Sequence, residues 1–310
     1  MELSWLTKLR IAAVIIAGVG LIGILAWPLA SPFDPFGPVS LTVGAITFGK
    51  AIALVPLAFF VGFIAYFLSW PLGREIGILA VPAGLSTWAV RSGSMANLMQ
   101  ANSTLSQRQA LFSSLKWEPI FWLAVVAVGF LGVLIGHKIC SSSAPGESQE
   151  KTDSKSGMFL GVIIALVGSI LIAPFCIGIL AQDVRMLDDR LGSLVGQPAI
   201  GQIVFAVLVS FGIAAFLFKK FLNVSYIWPI ITSAFVTVFI RTIYIKQDTL
   251  NHLVEHWPAV FFPNAVISIL PVQMVAFGTL GSIAGYWLAV RYSLWRQLER
   301  DAKVSKGPRT

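Results

Sequence analysis

Val14-Ile15-Ile16-Ala17-Gly18-Val19-Gly20 recurs as Val162-Ile163-Ile164-Ala165-Leu166-Val167-Gly168, six identities in seven at an offset of 148 residues. Further matches follow in the same order. Val43-Gly44 with Gly49-Lys50 stands against Val195-Gly196 with Gly201-Gln202, an offset of 152, and Ile64-Ala65-Tyr66-Phe67-Leu68 stands against Ile213-Ala214-Ala215-Phe216-Leu217, an offset of 149. Arg91 then matches Arg241 (offset 150), and Trp117, just before Pro119, matches Trp257 before Pro258 (offset 140). Colinear matches at a nearly constant offset are what an internal duplication produces, and a repeat constrains the fold before any single element does.

The repeated segments are membrane-like. Of 310 residues, 56% are hydrophobic and only 12% charged, and the mean hydropathy is +0.82. A soluble domain carries about a quarter of its residues as charges. Crossing about 30 Å of hydrocarbon takes roughly 20 apolar helical residues. Seven segments meet that requirement: 11–29, 51–70, 119–138, 158–181, 202–218, 224–242 and 264–290. An eighth, 76–90, is short and carries Pro82, so it reads either as a span or as a re-entrant hairpin.

Charge separates the two readings. With 76–90 as a span and the N-terminus cytoplasmic, Lys and Arg divide 14 inside to 8 outside; without it the division is 10 to 12. Only the first split follows the positive-inside tendency. The duplication agrees, because 76–90 corresponds to the long apolar run at 224–242. The expected fold is therefore all-α and polytopic, with eight transmembrane helices as two parallel four-helix repeats. Each copy has an even number of spans, so the pseudo-twofold axis lies along the membrane normal. Residues 1–138 form the first repeat, 139–157 a polar cytoplasmic linker, 158–292 the second repeat and 293–310 a basic cytoplasmic tail. Both termini face the cytoplasm, in a plasma membrane or a bacterial inner membrane. Lys8 and Arg10 before an apolar core resemble a signal peptide, but the duplicate lies mid-chain, so the first span is expected to be retained.

Small residues at four-residue spacing mark the packing faces: Gly132 and Gly136, Gly161 with Ala165 and Ser169, Ala206 with Ser210 and Ala214, and Gly281 with Gly285. Such faces let helix backbones approach closely. Pro56, Pro82, Pro174, Pro229 and Pro271 fall in apolar runs and are expected to kink helices. Cys140 and Cys176 belong at different depths, which argues against a disulfide. The net charge of +8 is concentrated in the tail, a surface for anionic lipid. The partners read from the sequence are the lipid bilayer and other membrane proteins, with no feature pointing to nucleic acid.

No Asp or Glu falls inside an expected span, which argues against a carrier working through buried carboxylates. Glu118 is placed at an edge. Arg91 and Arg241, the duplicated polar pair, are placed at outer span ends where long side chains reach water. They read as interfacial anchors or as an anion-contacting pair at the outer mouth, and Gln273 is a polar candidate within a span. The outer loop 92–116 has apolar residues at helix-compatible spacing and is expected to lie in the interface or cap the outer mouth.

His252-Leu253-Val254-Glu255-His256 has the H-x-x-E-H form of inverted zinc peptidases. His252 and His256 share a helical face suited to Zn²⁺, with Glu255 as base. The other half has Phe112 and Lys116 in place of the two histidines. The competing reading is an amphipathic outer helix capped by Asp248 or Thr249 and stopped before Pro258. No motif defines a reaction. The leading functional expectation is a permease-like translocation unit with its pathway between the repeats. The alternative is a non-catalytic membrane subunit or scaffold, and the third is an outer-loop zinc-dependent hydrolase. No other cofactor is implied.

Overall fold

The computed structural model describes residues 4–32, 34, 37–41, 46–141, 155–182 and 184–305. The Val43-Gly44 match, most of the 139–157 linker, and Lys306 and Arg309 of the tail lie outside these residues.

The chain is mostly helical. Helix α1, Trp5–Gly18, is opened by Ser4, whose Oγ accepts from the Thr7 N–H. It runs on as a π-helical segment, Val19–Leu25, and ends in the short α2, Trp27–Ala30. Helix α3 is Phe48–Leu68. A continuous helical stretch follows: α4, Gly73–Ile76, a 3₁₀ turn, Gly77–Leu79, and α5, Ala80–Arg91. Helices α6, Met95–Ala101, α7, Leu105–Leu115, and α8, Glu118–Ser141, complete the first half. The second half holds α9, Lys155–Leu180, strands β1, Arg185–Asp188, and β2, Gly192–Gly196, and α10, Ile200–Leu222. It closes with α11, Ile227–Tyr244, α12, Gln247–His256, β3, Phe261–Phe262, and α13, Pro271–Ser305.

Seven of the described helical segments are long and apolar enough to cross a membrane, and their peripheral side chains are large and exposed, as with Phe60, Leu171 and Phe175. Lipid tails accept such a surface at no cost. The stretch 73–91 is interrupted by its 3₁₀ turn, yet residues 76–85 are buried throughout.

Glycine decides how closely the long helices approach. On the α3–α8 pair, a Cβ on Gly62 would strike the Gly129 carbonyl, and one on Gly132 the Phe59 carbonyl. On the α10–α13 pair, Gly281 lies on the Leu208 carbonyl and Gly285 on the Gly212 carbonyl. Helix α9 packs on α10 and α11, with Ala165 and Ser169 fully buried. Helix α1 and its π-helical continuation pack on α5, where Gly18 sits against the Ala80 carbonyl. The halves meet where α13 packs on α5 and α8, and α8 on α11.

Several sequence expectations are corrected here. Residues 264–270, read as the start of a span, form non-helical turns instead, buried from Ala265 on. Pro271 opens α13, because proline lacks the N–H a helix interior needs and disfavours a helical residue before it. Pro229 stands third in α11, where the missing N–H has no intrahelical partner to lose, and Pro82 follows closely on the 3₁₀ turn that interrupts 73–91. Only Pro56 and Pro174 are interior. Lys246, not Asp248 or Thr249, occupies the N-cap of α12. A small antiparallel sheet, ordered β1-β2-β3, was not expected from the apolar patterning. Its β1–β2 turn requires Gly192, which has φ +79°. Both cysteines are free.

Candidate functional site at the capped face

Helices α6, α7 and α12 and the hairpin gather on one face of the helical body. Thr104 opens α7 in a reciprocal capping box with Gln107. Met95, Leu98, Met99, Leu111, Phe112 and Leu115 are all buried, so the 92–116 segment packs into the body and caps it. Helix α7 of the first half packs on α12 of the second.

The two arginines paired by the sequence match differ in setting. Arg91 is exposed, its guanidinium 4.2 Å from the centre of the Trp27 ring. Arg241 does not reach water as expected: it is only 2% exposed. Its Nη1 donates to the Leu115 carbonyl at 2.8 Å and its Nη2 to the Ile269 carbonyl at 3.2 Å. Leu115 ends α7, so the cation satisfies a carbonyl at a helix C-terminus, where positive charge is favoured. The cause of its burial is coverage by the other half, which a single-span reading of the sequence does not contain.

Glu118, expected at an edge, is also buried. Its carboxylate accepts from Ser40 Oγ at 2.7 Å and Trp122 Nε1 at 3.0 Å. It lies within electrostatic reach of Arg241. A buried cation and anion in this proximity offset part of each other's desolvation cost. Gln273 is likewise consumed by structure. Its Oε1 accepts from the Leu270 N–H at 3.0 Å, and its Nε2 donates to the Ala89 carbonyl at 3.2 Å, tying α13 to α5. Gln197 makes a comparable tie that the sequence did not single out: it accepts from the Ala96 N–H at 3.1 Å and donates to the Ser268 carbonyl at 3.2 Å.

The histidine string forms helix α12, as its spacing predicts. His252 and His256 stack with ring centres 4.5 Å apart. The partner of His252 is Asp188 in β1, at 2.8 Å and 3.1 Å from Nε2. Trp257 Nε1 donates to the same carboxylate at 2.6 Å, and the N–H groups of Arg190 and Leu191 donate to it at 2.9 and 2.7 Å. These bonds, that from His252 foremost, hold the Asp188 carboxyl well below the usual carboxylate range. Glu255 is exposed, 3.9 Å from His256 Nδ1. Among the described residues no group of three His, Cys, Asp or Glu side chains is assembled to hold a metal ion. The described arrangement is a latch of the hairpin onto α12.

Beside the arginine lies a recess of about 230 Å³. One wall is a single face of α7 and its C-cap, with Gln109, Phe112, Ser113 and the capping Lys116 at the three- and four-residue intervals of a helix. Opposite stand the end of α11, with Arg241, Thr242 and Ile245, and the start of α12, with Gln247 and Leu250. The recess thus lies between the halves.

No family model, no curated protein and no solved structure matches this chain.

Proposed function

We propose that the chain is a non-catalytic, membrane-embedded scaffold of eight spans arranged as two parallel four-helix repeats. The scaffold reading is supported chiefly by one observation, the filled centre. Residues 271–279 of α13 are buried without exception, and Val272, Met274, Val275 and Ala276 have no exposed surface. Helices locked by backbone-to-glycine contact move as units and leave a fixed exterior for other membrane proteins to dock on.

The repeat is supported by the pairing of helices. Pairs α3–α8 and α1–α5 in the first half have counterparts α10–α13 and α9–α11 in the second, and between halves α5–α13 mirrors α11–α8. Gly132 on Phe59 and Gly281 on Leu208 share an offset of 149 at both positions. An eighth span at 73–91 then places both termini and the linker on the face opposite the cap, read as cytoplasmic. Single cysteines at Arg74 and Ser92 in a background without Cys140 and Cys176 test this. Labelling from opposite sides by an impermeant thiol reagent is expected, and labelling from one side makes 73–91 a re-entrant hairpin.

The scaffold reading predicts a stoichiometric partner that survives gentle detergent extraction from native membranes. Recovery of the chain alone under conditions that preserve known membrane complexes refutes it. A second reading, translocation between the repeats, draws on three buried hydroxyls without hydrogen-bond partners, Ser169, Ser210 and Thr279, since polar groups unsatisfied in a membrane core call for a function or a water. Solute uptake by proteoliposomes holding the purified chain distinguishes that reading.

A further inference from the structure

We propose that the recess between α7, α11 and α12 binds one phosphate-type anion, carried as a phospholipid headgroup or free in solution. Three independent features converge on it. The first is charge: Lys116 and Arg241 line the recess, and none of its lining residues is acidic. Lys116 is half-buried, and among the described residues it makes no ion pair. Its ammonium lies 5.5 Å from the centre of the Trp117 ring.

The second feature is an unspent donor. Arg241 uses both terminal nitrogens on backbone carbonyls, yet its Nε is buried with no hydrogen-bond partner. Burying a guanidinium donor unpaired is costly, and because Nε itself has almost no exposed surface, the side chain must turn slightly toward an acceptor in the recess to relieve that cost. Glu118 lies within electrostatic reach of Arg241 but makes no hydrogen bond to this Nε. Charge-assisted bonds from guanidinium and ammonium to phosphate oxygens are among the strongest that side chains make.

The third is chemical match over the rest of the wall. The Ser113 and Thr242 hydroxyls already donate to the Ala110 and Val238 carbonyls, but Gln109 and Gln247 offer neutral N–H donors, while Phe112, Ile245 and Leu250 supply apolar surface. A tetrahedral anion bearing an ester substituent uses both kinds. The recess volume of about 230 Å³ is far above the ~10–15 Å³ that a single water requires. Helix α7 and the end of α11 belong to different halves, so an occupant bridges them.

The test uses the full chain in phosphatidylcholine nanodiscs, with two probes compared by apparent Tm. One is phosphatidylglycerol doped into the disc; the other is inorganic phosphate against chloride at matched ionic strength. At least one probe is expected to raise Tm saturably. Lys116→Glu is expected to raise the half-saturating concentration on the order of tenfold or more, Lys116→Arg to retain binding, and Arg190→Glu, the same charge change on the hairpin, to leave it unaltered. Stabilisation by phosphatidylglycerol alone identifies a lipid headgroup, and stabilisation by inorganic phosphate, alone or together with the lipid, identifies a free anion; either outcome supports the site. No stabilisation by either probe, or equal losses in Lys116→Glu and Arg190→Glu, overturns it.

Discussion

The carboxylate of Asp188 collects hydrogen bonds from its own turn, through Arg190 and Leu191, and from α12 and its successor, through His252 and Trp257. Because its folded pKa is depressed, the stabilisation it gives is fully present above the ordinary carboxylate value, about 3.9. That stabilisation is lost as pH falls through the lower folded value. The hairpin is therefore expected to stay docked from neutral pH down to about pH 4 and to loosen only in stronger acid. Asp188→Asn is expected to raise amide exchange across 185–196 at neutral pH while α10 exchange is unchanged; equal exchange in both proteins contradicts the latch. The sequence pointed to His252 through its motif but not to its partner, which lies 64 residues away in a strand without a marked apolar alternation. Arg91 and Arg241 tell the same story. Their matched positions were legible, whereas their opposite burial follows from what the other half lays over each.

At the scale of helices, the apolar runs and the four-residue rhythm of small residues were legible because span length and close packing are written into consecutive residues of one segment. Gly132, Gly136, Gly281 and Gly285 all sit in tight contacts, as that rhythm implied. Element boundaries were less legible where tertiary contact overrides hydropathy: residues 264–270 are as apolar as a helix, yet Asn264 and Gln273 satisfy their turns instead. The glycine contacts carry a quantitative expectation. Gly281→Val forces a side chain onto the Leu208 carbonyl and is expected to cost about 1–3 kcal/mol, read as a lower apparent Tm in detergent. Gly201→Val, where nothing lies within 4 Å, is expected to stay within about 0.5 kcal/mol. Equal melting of the two variants removes backbone contact as the reason for the glycine.

Across the whole molecule, the two halves are joined by ties that do not depend on the linker. Gln273 reaches Ala89, Gln197 reaches Ala96, and Arg241 reaches Leu115. Coexpression as two chains, cut within 142–154, is therefore expected to yield a complex that copurifies, and independent elution of the halves counts against this interface. Helix α13 gives these ties a mechanical side. Its 35 residues extend about 52 Å at roughly 1.5 Å each, well beyond about 30 Å of hydrocarbon. Gln273 clamps it near one end, while Arg291, Arg296 and Arg300 ride toward the other. A rod clamped near one end is a lever: a tilt of about 5° there sweeps its far tip by roughly 4–5 Å over that length. The contacts of Gly281 and Gly285 with the α10 backbone, partway along, are what keep that basic tip from swinging.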